Sequence, residues 1–448
     1  MTRIAHLKSL LVLGLPLIGS HMAQMAITTT DTIMLGWYDV TALAAVALAG
    51  SIFFTLFIVG SGFAWAVMPL VAAAAEEGDE VQARRVTRMG LWLSMIYGVI
   101  MLPPMLFSEP IFRAIGQDPE VAAIAERYLR IAGWGILPAL LVMVLKAFLS
   151  ALERTQIILW VTILAALLNA AINYALIFGN WGAPELGVRG AAIASVTVQI
   201  ASAVLLGLYV VTKLPQFVLF QRLWRSDREA LGTVFRLGWP IGVTSFAETG
   251  LFTASAIMMG WLGALQLAAH GIALQLASMT FMVHLGLSQA ATVRAGRALG
   301  RKDIDGLKSG GNMAVATSLA FALVTIAAFL LIPEVLLSLF VDPDDPQRPA
   351  ILSIGVGLLA VAALFQLVDG AQVMALGLLR GVQDTRVPMI HASLSYWGLG
   401  LPAGYVLGFP LGFGGVGIWM GLVVGLAMAA VLLLGRFYGP TLKRLSAA

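Results

Sequence analysis

The feature that most constrains the fold is a series of twelve apolar runs, each long enough to cross a membrane as a helix. A hydrocarbon layer roughly 30 Å thick is spanned by about 20 helical residues. With 60% hydrophobic and 11% charged residues, the chain holds more apolar surface than one water-soluble core can bury. We therefore predict an all-α integral membrane protein whose spans lie near 9–35, 44–74, 89–107, 122–149, 157–178, 190–212, 231–262, 268–293, 310–332, 350–379, 387–409 and 414–434.

The two halves of the chain are duplicates. Gly14-Leu-Pro16 matches Gly238-Trp-Pro240 at an offset of 240 − 16 = 224, and about six inserted residues later change the offset to 230. Because each half has six spans, an even number, both copies share one orientation. We predict two pseudo-symmetric six-helix lobes, residues 1–212 and 231–448, joined by a cytoplasmic linker at 213–230.

The basic residues predict the orientation. Positive charges stay on the cytoplasmic side of short loops. With the N-terminus inside, all but five of the 27 Lys and Arg residues fall on that side. We expect a bacterial cytoplasmic (inner) membrane protein with both termini in the cytoplasm, a basic linker near anionic lipid and no nucleic-acid partner. The alternative for the linker is a plain solvated tether. The five exceptions are Arg113, Arg127, Arg130, Arg189 and Arg348.

Three acids lie within the predicted spans: Asp31 in span 1, Glu248 in span 7 and Asp369 in span 10. On insertion scales a charge at the bilayer centre costs roughly 2.5–3.5 kcal/mol, so such an acid is a functional hypothesis. No basic residue lies within span 10, and the one basic residue of span 7, Arg236, is 248 − 236 = 12 residues from Glu248, so neither acid has a neighbouring positive charge within its own span. Two acids that face one cavity repel each other and lose hydration. Such a pair is suited to take up a proton or a monovalent cation, and the alternative is a purely structural role for each acid.

Four further polar residues extend these candidate sites. Asn169 and Asn173 are four residues apart in span 5 and share a helix face. Ser195 lies in span 6 and Tyr396 in span 11, near Asp369. Side-chain oxygens of this kind bind hard cations, but interhelical hydrogen bonds that only pack the bundle remain the alternative.

Several function classes are excluded by what the sequence lacks. There is no cysteine, which rules out disulfides and thiolate metal sites. The run Gly296–Lys302 is similar to a phosphate-binding loop but lacks the hydroxyl that would hold magnesium. No hydrolase or metalloprotease motif occurs. We expect neither an enzyme nor a cofactor.

These motifs resemble the multidrug and toxic compound extrusion (MATE) transporters, in particular their NorM-like branch. The resemblance covers essentially the whole chain, and the combination of Glu248 with Asp369 separates this branch from the DinF branch. It is carried by Asp31-Thr-Ile-Met-Leu-Gly36, by Glu248 after the Gly-Trp-Pro of span 7, by Asp369, and by Gly187-Val-Arg-Gly-Ala-Ala-Ile-Ala-Ser195. In the family, an aspartate in span 1, two polar positions in span 5 and a hydroxyl in span 6 form a first-lobe cation site. The matching residues here are Asp31, Asn169, Asn173 and Ser195.

The resemblance implies a monomeric secondary antiporter that exports organic, often cationic compounds in exchange for Na⁺ or H⁺. Glu248 and Asp369, with Tyr396 nearby, are the expected ion site and the place where Na⁺ would bind. The alternative is a lipid-linked oligosaccharide flippase of the same superfamily. A flippase needs a basic cavity for pyrophosphate, and Lys146 is the one basic residue expected deep in a span. A channel is a third function that the same composition allows.

Overall fold

The computed structural model describes residues 3–447, and every regular element in that part of the chain is helical. Two short helices, Glu109–Ala114 and Pro333–Ser338, precede α4 and α10. The twelve long helices are α1 Arg3–Tyr38, α2 Val40–Glu76, α3 Glu80–Leu106, α4 Pro119–Ala151, α5 Thr155–Phe178, α6 Val188–Lys213, α7 Arg228–Leu262, α8 Ala264–Gly300, α9 Ile304–Leu331, α10 Arg348–Gly381, α11 386–408 and α12 Gly414–Ala447.

The predicted all-α membrane fold is confirmed. Within residues 3–447, eleven helices are long and apolar enough to cross a membrane. The remaining helix, α11, is divided into shorter pieces because the π-helical segment Leu394–Gly400 separates Arg386–Ser393 from Leu401–Gly408. The three pieces follow one another without a gap, so their combined length also suffices for a crossing of about 20 residues.

The duplication predicted from the sequence is visible in the turns between helices. Asp79 caps α3 by accepting from Gln82 N at 2.8 Å, and its counterpart Asp303 caps α9 by accepting from Gly306 N at 2.8 Å. Each such cap contributes about 0.5–2 kcal/mol. The 230 offset is visible too, since Glu153 and Gln383 have φ values of 62° and 61°. Equivalent positions of the two copies therefore adopt equivalent turns.

The described chain forms two compact units. The N-terminal unit comprises Gly19–Gly242, and the C-terminal unit comprises the residues up to Ile18 together with those from Val243 onward. The two divisions fall inside α1 and α7 at positions that differ by 242 − 18 = 224, the repeat offset. Each division lies two residues after a proline, Pro16 or Pro240. The assignment of lobes by repeat, 1–212 and 231–448, stays a prediction.

Different helices organise the two units. In the N-terminal unit, α2 packs against α3 and α4, while α5 and α4 pack against α6. In the C-terminal unit, α10 packs against α8, α9 and α12, and α11 packs against α12. The hydroxyls of Ser288 and Thr292 on α8 donate to the Val373 and Gly377 carbonyls of α10 at 2.8 and 2.9 Å. The helix that carries Asp369 is therefore enclosed by its neighbours.

The segment between α6 and α7 is held against α3. The Arg88 guanidinium donates to the carbonyls of Leu219 and Val218 at 2.7 and 2.5 Å. Arg85 hydrogen-bonds Asp227 at 2.5 Å and thereby lowers the pKa of that carboxyl. Other basic side chains of the segment are exposed, and their contact with anionic lipid stays a prediction; they are Arg222, Arg225 and Arg228.

Candidate functional site

Three helices of the C-terminal unit bring two of the three predicted acids and the predicted tyrosine into one polar cluster. α7 supplies Glu248, α10 supplies Asp369 and Gln372, and α11 supplies Tyr396. Glu248 interacts with both Asp369 and Gln372, and Tyr396 interacts with both carboxylates. We call these four residues the C-terminal acidic cluster. It joins side chains that lie up to 148 positions apart in the sequence, since 396 − 248 = 148.

The cluster is buried and contains hydrogen-bond acceptors without donors. Asp369 is 2% exposed, and Gln372 and Tyr396 are fully buried, while Glu248 is partly buried. The Gln372 amide donates to the Tyr396 hydroxyl. Among residues 3–447, neither Oδ1 of Asp369 nor Oε1 of Gln372 has a hydrogen-bond partner. A buried unsatisfied group costs about 1–3 kcal/mol, so these two oxygens are suited to receive a proton or a cation.

A close contact between α7 and α11 positions Glu248 relative to Tyr396. Nε1 of Trp397 donates to the Ala247 carbonyl at 3.0 Å. The indole lies over Gly250, where a Cβ would come within 2.7 Å of the Trp397 ring. A side chain at position 250 would therefore displace the ring. Tyr396 and Trp397 both lie in the π-helical segment of α11, a geometry that is frequent at functional sites.

Hydrogen bonds from α8 and α9 fix the part of α10 that carries Asp369. Nδ1 of His284 lies 2.8 Å from Oγ of Ser318, which donates to the Gly370 carbonyl at 3.2 Å. One turn earlier, Oγ1 of Thr280 donates to Oε1 of Gln366 at 2.9 Å. These contacts limit the freedom of α10 on both sides of Asp369.

Two members of this region were not singled out from the sequence. Gln372 lies three residues after Asp369, on a neighbouring part of the helix face, so a polar residue at i+3 was the available signal. Arg380 lies just beyond the predicted end of span 10 at residue 379, and its positive charge acts on Glu248. α10 continues to Gly381, which keeps Arg380 inside the helix at 7% exposure.

The N-terminal unit contains a second polar cluster around Asp31 of α1. Nδ2 of Asn173 donates to Oδ1 of Asp31 at 2.5 Å and to Oδ1 of Asn169 at 3.2 Å. Both asparagines are fully buried, and Oδ1 of Asn173 has no partner within the described residues. Three of the four residues predicted for a first-lobe site are therefore in direct contact.

The fourth predicted residue, Ser195 of α6, joins this cluster through a residue that the sequence did not indicate. Ser195 hydrogen-bonds Tyr128 of α4, and the Asp31 charge acts on the same tyrosine. Tyr128 lies among Glu126, Arg127 and Arg130, a pattern typical of an exposed helix end. We call Asp31, Asn169, Asn173, Ser195 and Tyr128 the N-terminal polar cluster.

The chemistry of both clusters is that of hard, oxygen-binding sites. Among residues 3–447 there is no group of three or more His, Cys, Asp or Glu side chains that could hold a metal ion. Carboxylate, amide and hydroxyl oxygens suit hard cations rather than thiophilic metals. Such oxygens can accept a proton or contact an alkali cation.

The MatE family model matches residues 16–175 and 240–406. The chain belongs to the MatE family. The two matched segments begin 240 − 16 = 224 residues apart, which is the offset found between the halves of the sequence. The predicted resemblance is thereby confirmed, and this MatE-family chain is a multi-pass membrane transporter and not an enzyme.

Relatives of similar length are known for this MatE chain. It is 49% identical to a probable multidrug resistance protein NorM of Rhizobium meliloti, over 99% of this chain and 95% of the relative. It is 47% identical to a protein of the same name from Agrobacterium fabrum, over 97% and 94% of the two chains. The crystal structure of the eukaryotic MATE transporter AtDTX14 has a TM-score of 0.88 at 19% identity and covers 99% of this chain and 98% of that one. This last likeness shows a shared fold.

Proposed function

We propose that this MatE-family protein is a multidrug efflux antiporter of the bacterial cytoplasmic membrane that exports organic, often cationic compounds in exchange for Na⁺ or H⁺. The full-length similarity to relatives named as multidrug resistance proteins supports this assignment. We place both termini in the cytoplasm and expect a monomer. The observation that carries the coupling role is the buried Asp369 carboxylate beside Glu248, with Oδ1 unpartnered among the described residues.

The charge of the C-terminal acidic cluster explains why it would bind a single monovalent cation or proton. Asp369 and Glu248 together carry two negative charges when both are ionised, and the charge of Arg380 offsets one of them. A buried charge without a counter-charge is strongly unfavourable. One proton on the pair, or one Na⁺ held by the carboxylates and the Gln372 and Tyr396 oxygens, brings the sum to zero. Na⁺ enters here as a transported ion.

Ion binding drives transport only if the ion binds the two conformations of the transporter with different affinity. The cluster has the parts that such a difference requires, because its members come from three helices, α7, α10 and α11. A change in the position of any one helix alters the set of oxygens around the ion. The coupling is reciprocal. If the bound ion changes the affinity for the drug by some factor, the bound drug changes the affinity for the ion by the same factor.

We assign the N-terminal polar cluster a second cation or proton site. Asp31 supplies the charge, and the partnerless oxygen of Asn173 lies on the residue that already donates to Asp31. Because Asp31 is partly exposed, exchange with solvent is easier here than at Asp369. The flippase alternative is less well supported, because the buried Arg380 acts on the acid Glu248.

The experiment that tests this function separates the two ions. The protein is reconstituted into liposomes, and transport of a fluorescent lipophilic cation is followed while a Na⁺ gradient is imposed with the pH gradient collapsed, and then the reverse. We expect at least one gradient to drive transport above the rate measured with no gradient. Equal rates with and without either gradient would refute antiport, and current without substrate exchange would indicate a channel.

A further inference from the structure

The N-terminal unit has a cavity of about 390 Å³ at the end of its helices where α1 finishes and α2 and α6 begin. This volume falls within the range of about 300–1,000 Å³ that small-molecule sites occupy. A tyrosine and charged residues of both signs line it, namely Tyr38, Asp39, Arg127, Glu185 and Arg189. The cavity lies about two helical turns beyond Asp31, because 38 − 31 = 7 and one turn takes about 3.6 residues.

Two residues that line the cavity, Arg127 and Arg189, are among the five basic residues predicted to lie on the side opposite the termini. The N-terminal unit has four arginines on the side opposite the termini. Arg113 pairs with Glu109, and Arg130 pairs with Glu126 at 2.7 Å. Within the described chain, the side chains of Arg127 and Arg189 take part in none of the ion pairs or hydrogen bonds, and both line the cavity. The two arginines without a protein partner therefore share one site.

The backbone strengthens the positive character of the site. α6 begins at Val188 after Gly187, and no side chain caps its first turn. The free N–H groups and partial positive charge of a helix N-terminus favour phosphate. At the start of α6 the Arg189 N–H donates to the Leu186 carbonyl at 3.1 Å, so the N–H groups left for a ligand are those of its neighbours Val188 and Gly190. The cavity thus offers two guanidinium groups and a helix N-terminus to one anion.

Two carboxylates line the same cavity. Glu185 accepts a hydrogen bond from Tyr38. Asp39 caps α2 through Oδ2, which accepts from Ala42 N at 2.7 Å, so its other oxygen is available. A ligand that carries both an anion and a cation matches this arrangement better than a simple anion does.

Aromatic side chains place the cavity at the depth of lipid headgroups. A continuous series of ring contacts runs from Tyr38 to Phe178 at 6.2 Å, on to Tyr174 at 6.4 Å and then to Trp181 at 5.1 Å. Trp181 is 73% exposed, and Trp37, next to Tyr38, is 74% exposed. Exposed Trp and Tyr collect at the boundary between membrane and water. The source of the ligand is accordingly the membrane.

We propose that this cavity binds the headgroup of a phosphatidylethanolamine lipid. The phosphate lies between Arg127 and Arg189 at the start of α6, and the primary ammonium lies against Glu185 and Asp39. On the proposed orientation the lipid belongs to the outer leaflet. The proposal depends on the membrane placement of the chain and not on which ion or drug is transported.

Lipid titration of the delipidated full-length protein, followed by native mass spectrometry, tests the proposal. We expect the wild type to bind phosphatidylethanolamine more tightly than phosphatidylglycerol, which has no ammonium group. The double variant Arg127→Gln/Arg189→Gln should lose about tenfold in affinity for phosphatidylethanolamine, equivalent to about 1.4 kcal/mol. Glu185→Gln should reduce the preference over phosphatidylglycerol.

Arg113→Gln is the matched control, because it makes the same change at an arginine of the same side that already has a partner. Equal affinity of the double variant and this control for phosphatidylethanolamine would overturn the proposal. Displacement of the lipid by millimolar inorganic phosphate would show a site for free anions instead. Thermal unfolding of each variant in lipid-free detergent verifies folding, and the exposed positions of Arg127 and Arg189 favour folded protein.

Discussion

Asp369 and Asp31 are both carboxylates within long apolar helices. They differ in the hydrogen bonds that the protein donates to them. Asp31 receives a short hydrogen bond from Asn173, whereas one oxygen of Asp369 has no donor among the described residues. The hydrogen bond offsets part of the cost of burying the Asp31 carboxylate. Burial beside Glu248 disfavours two simultaneous negative charges. The Asp369 carboxylate therefore lacks a compensating hydrogen bond of the kind that Asp31 receives.

The bond between Asp31 and Asn173 allows a prediction at the scale of single residues. Asn173→Ala removes the donor to a carboxylate, and hydrogen bonds to charged groups contribute about 1.5–3 kcal/mol. We expect unfolding in detergent to become easier by about that amount. A double-mutant cycle with Asp31→Ala should show a coupling of at least about 0.5 kcal/mol, as residues in contact do. Strictly additive effects would show that the contact contributes nothing to stability.

Some residues of the two clusters could be predicted from the sequence, and others could not. Asp31, Glu248 and Asp369 stand out because each is an acid inside an apolar run, and a spacing of four links Asn169 to Asn173. Tyr128 and Arg380 could not be found in this way. Each lies close to a helix end, where polar side chains are ordinary, and only the packing of other helices against those ends gives them partners.

At the scale of elements, glycines decide how closely α11 can approach α12. A Cβ at Gly421 would overlap the backbone of Gly404, and a Cβ at Gly400 would lie 2.9 Å from Cα of Gly425. Small residues spaced by four let membrane helices pack with their backbones in contact. Because Tyr396 is on α11, this packing also sets the position of one member of the C-terminal acidic cluster.

This contact predicts unequal effects of one substitution at two positions of α12. Gly421→Ala should lower the thermal unfolding temperature, because overpacking costs about 1–3 kcal/mol. Gly435→Ala is the control, since a Cβ there meets no atom within 4 Å and alanine favours a helix by up to about 1 kcal/mol. It should leave stability unchanged or raise it slightly. The same loss at both positions would mean that the approach of α11 to α12 is not the cause.

The π-helical break inside α11 was not predicted from the sequence. A single uninterrupted span at 387–409 follows from hydropathy, and the structure has a π-helical segment at Leu394–Gly400 instead. Hydropathy measures apolar length and carries no information about the hydrogen-bond register of a helix. The register depends on contacts such as that of Trp397 with Ala247, which come from a distant part of the chain.

At the scale of the whole molecule, the fold follows from two sequence properties, the count of apolar runs and the 224-residue offset. Eleven of the twelve predicted runs correspond to single long apolar helices among residues 3–447, and the offset is confirmed by equivalent turns and by the two MatE matches. The composition of the compact units was not foreseen. Their divisions lie within α1 and α7, and hydropathy cannot locate such a division because each helix continues through it.

The duplicated scaffold carries acids that are not duplicated. Under the 224 offset Glu248 corresponds to Gln24, and Asp31 corresponds to Ser255. The C-terminal acidic cluster therefore has no copy in the N-terminal unit, which has its own cluster around Asp31. We propose that the cluster at Glu248 and Asp369 couples ion movement to export.

Efflux by the Glu248→Gln variant tests whether this cluster couples ion movement to export. The variant, the wild type and Glu334→Gln are reconstituted in equal amounts, and transport of the fluorescent cation is measured under the ion gradient that drives the wild type. Glu334 makes a matched acid-to-amide control, as it is exposed on the short helix Pro333–Ser338. We predict that Glu334→Gln retains the wild-type rate and that Glu248→Gln falls to the rate measured without a gradient. Gradient-driven efflux by Glu248→Gln at the wild-type rate would contradict the assignment.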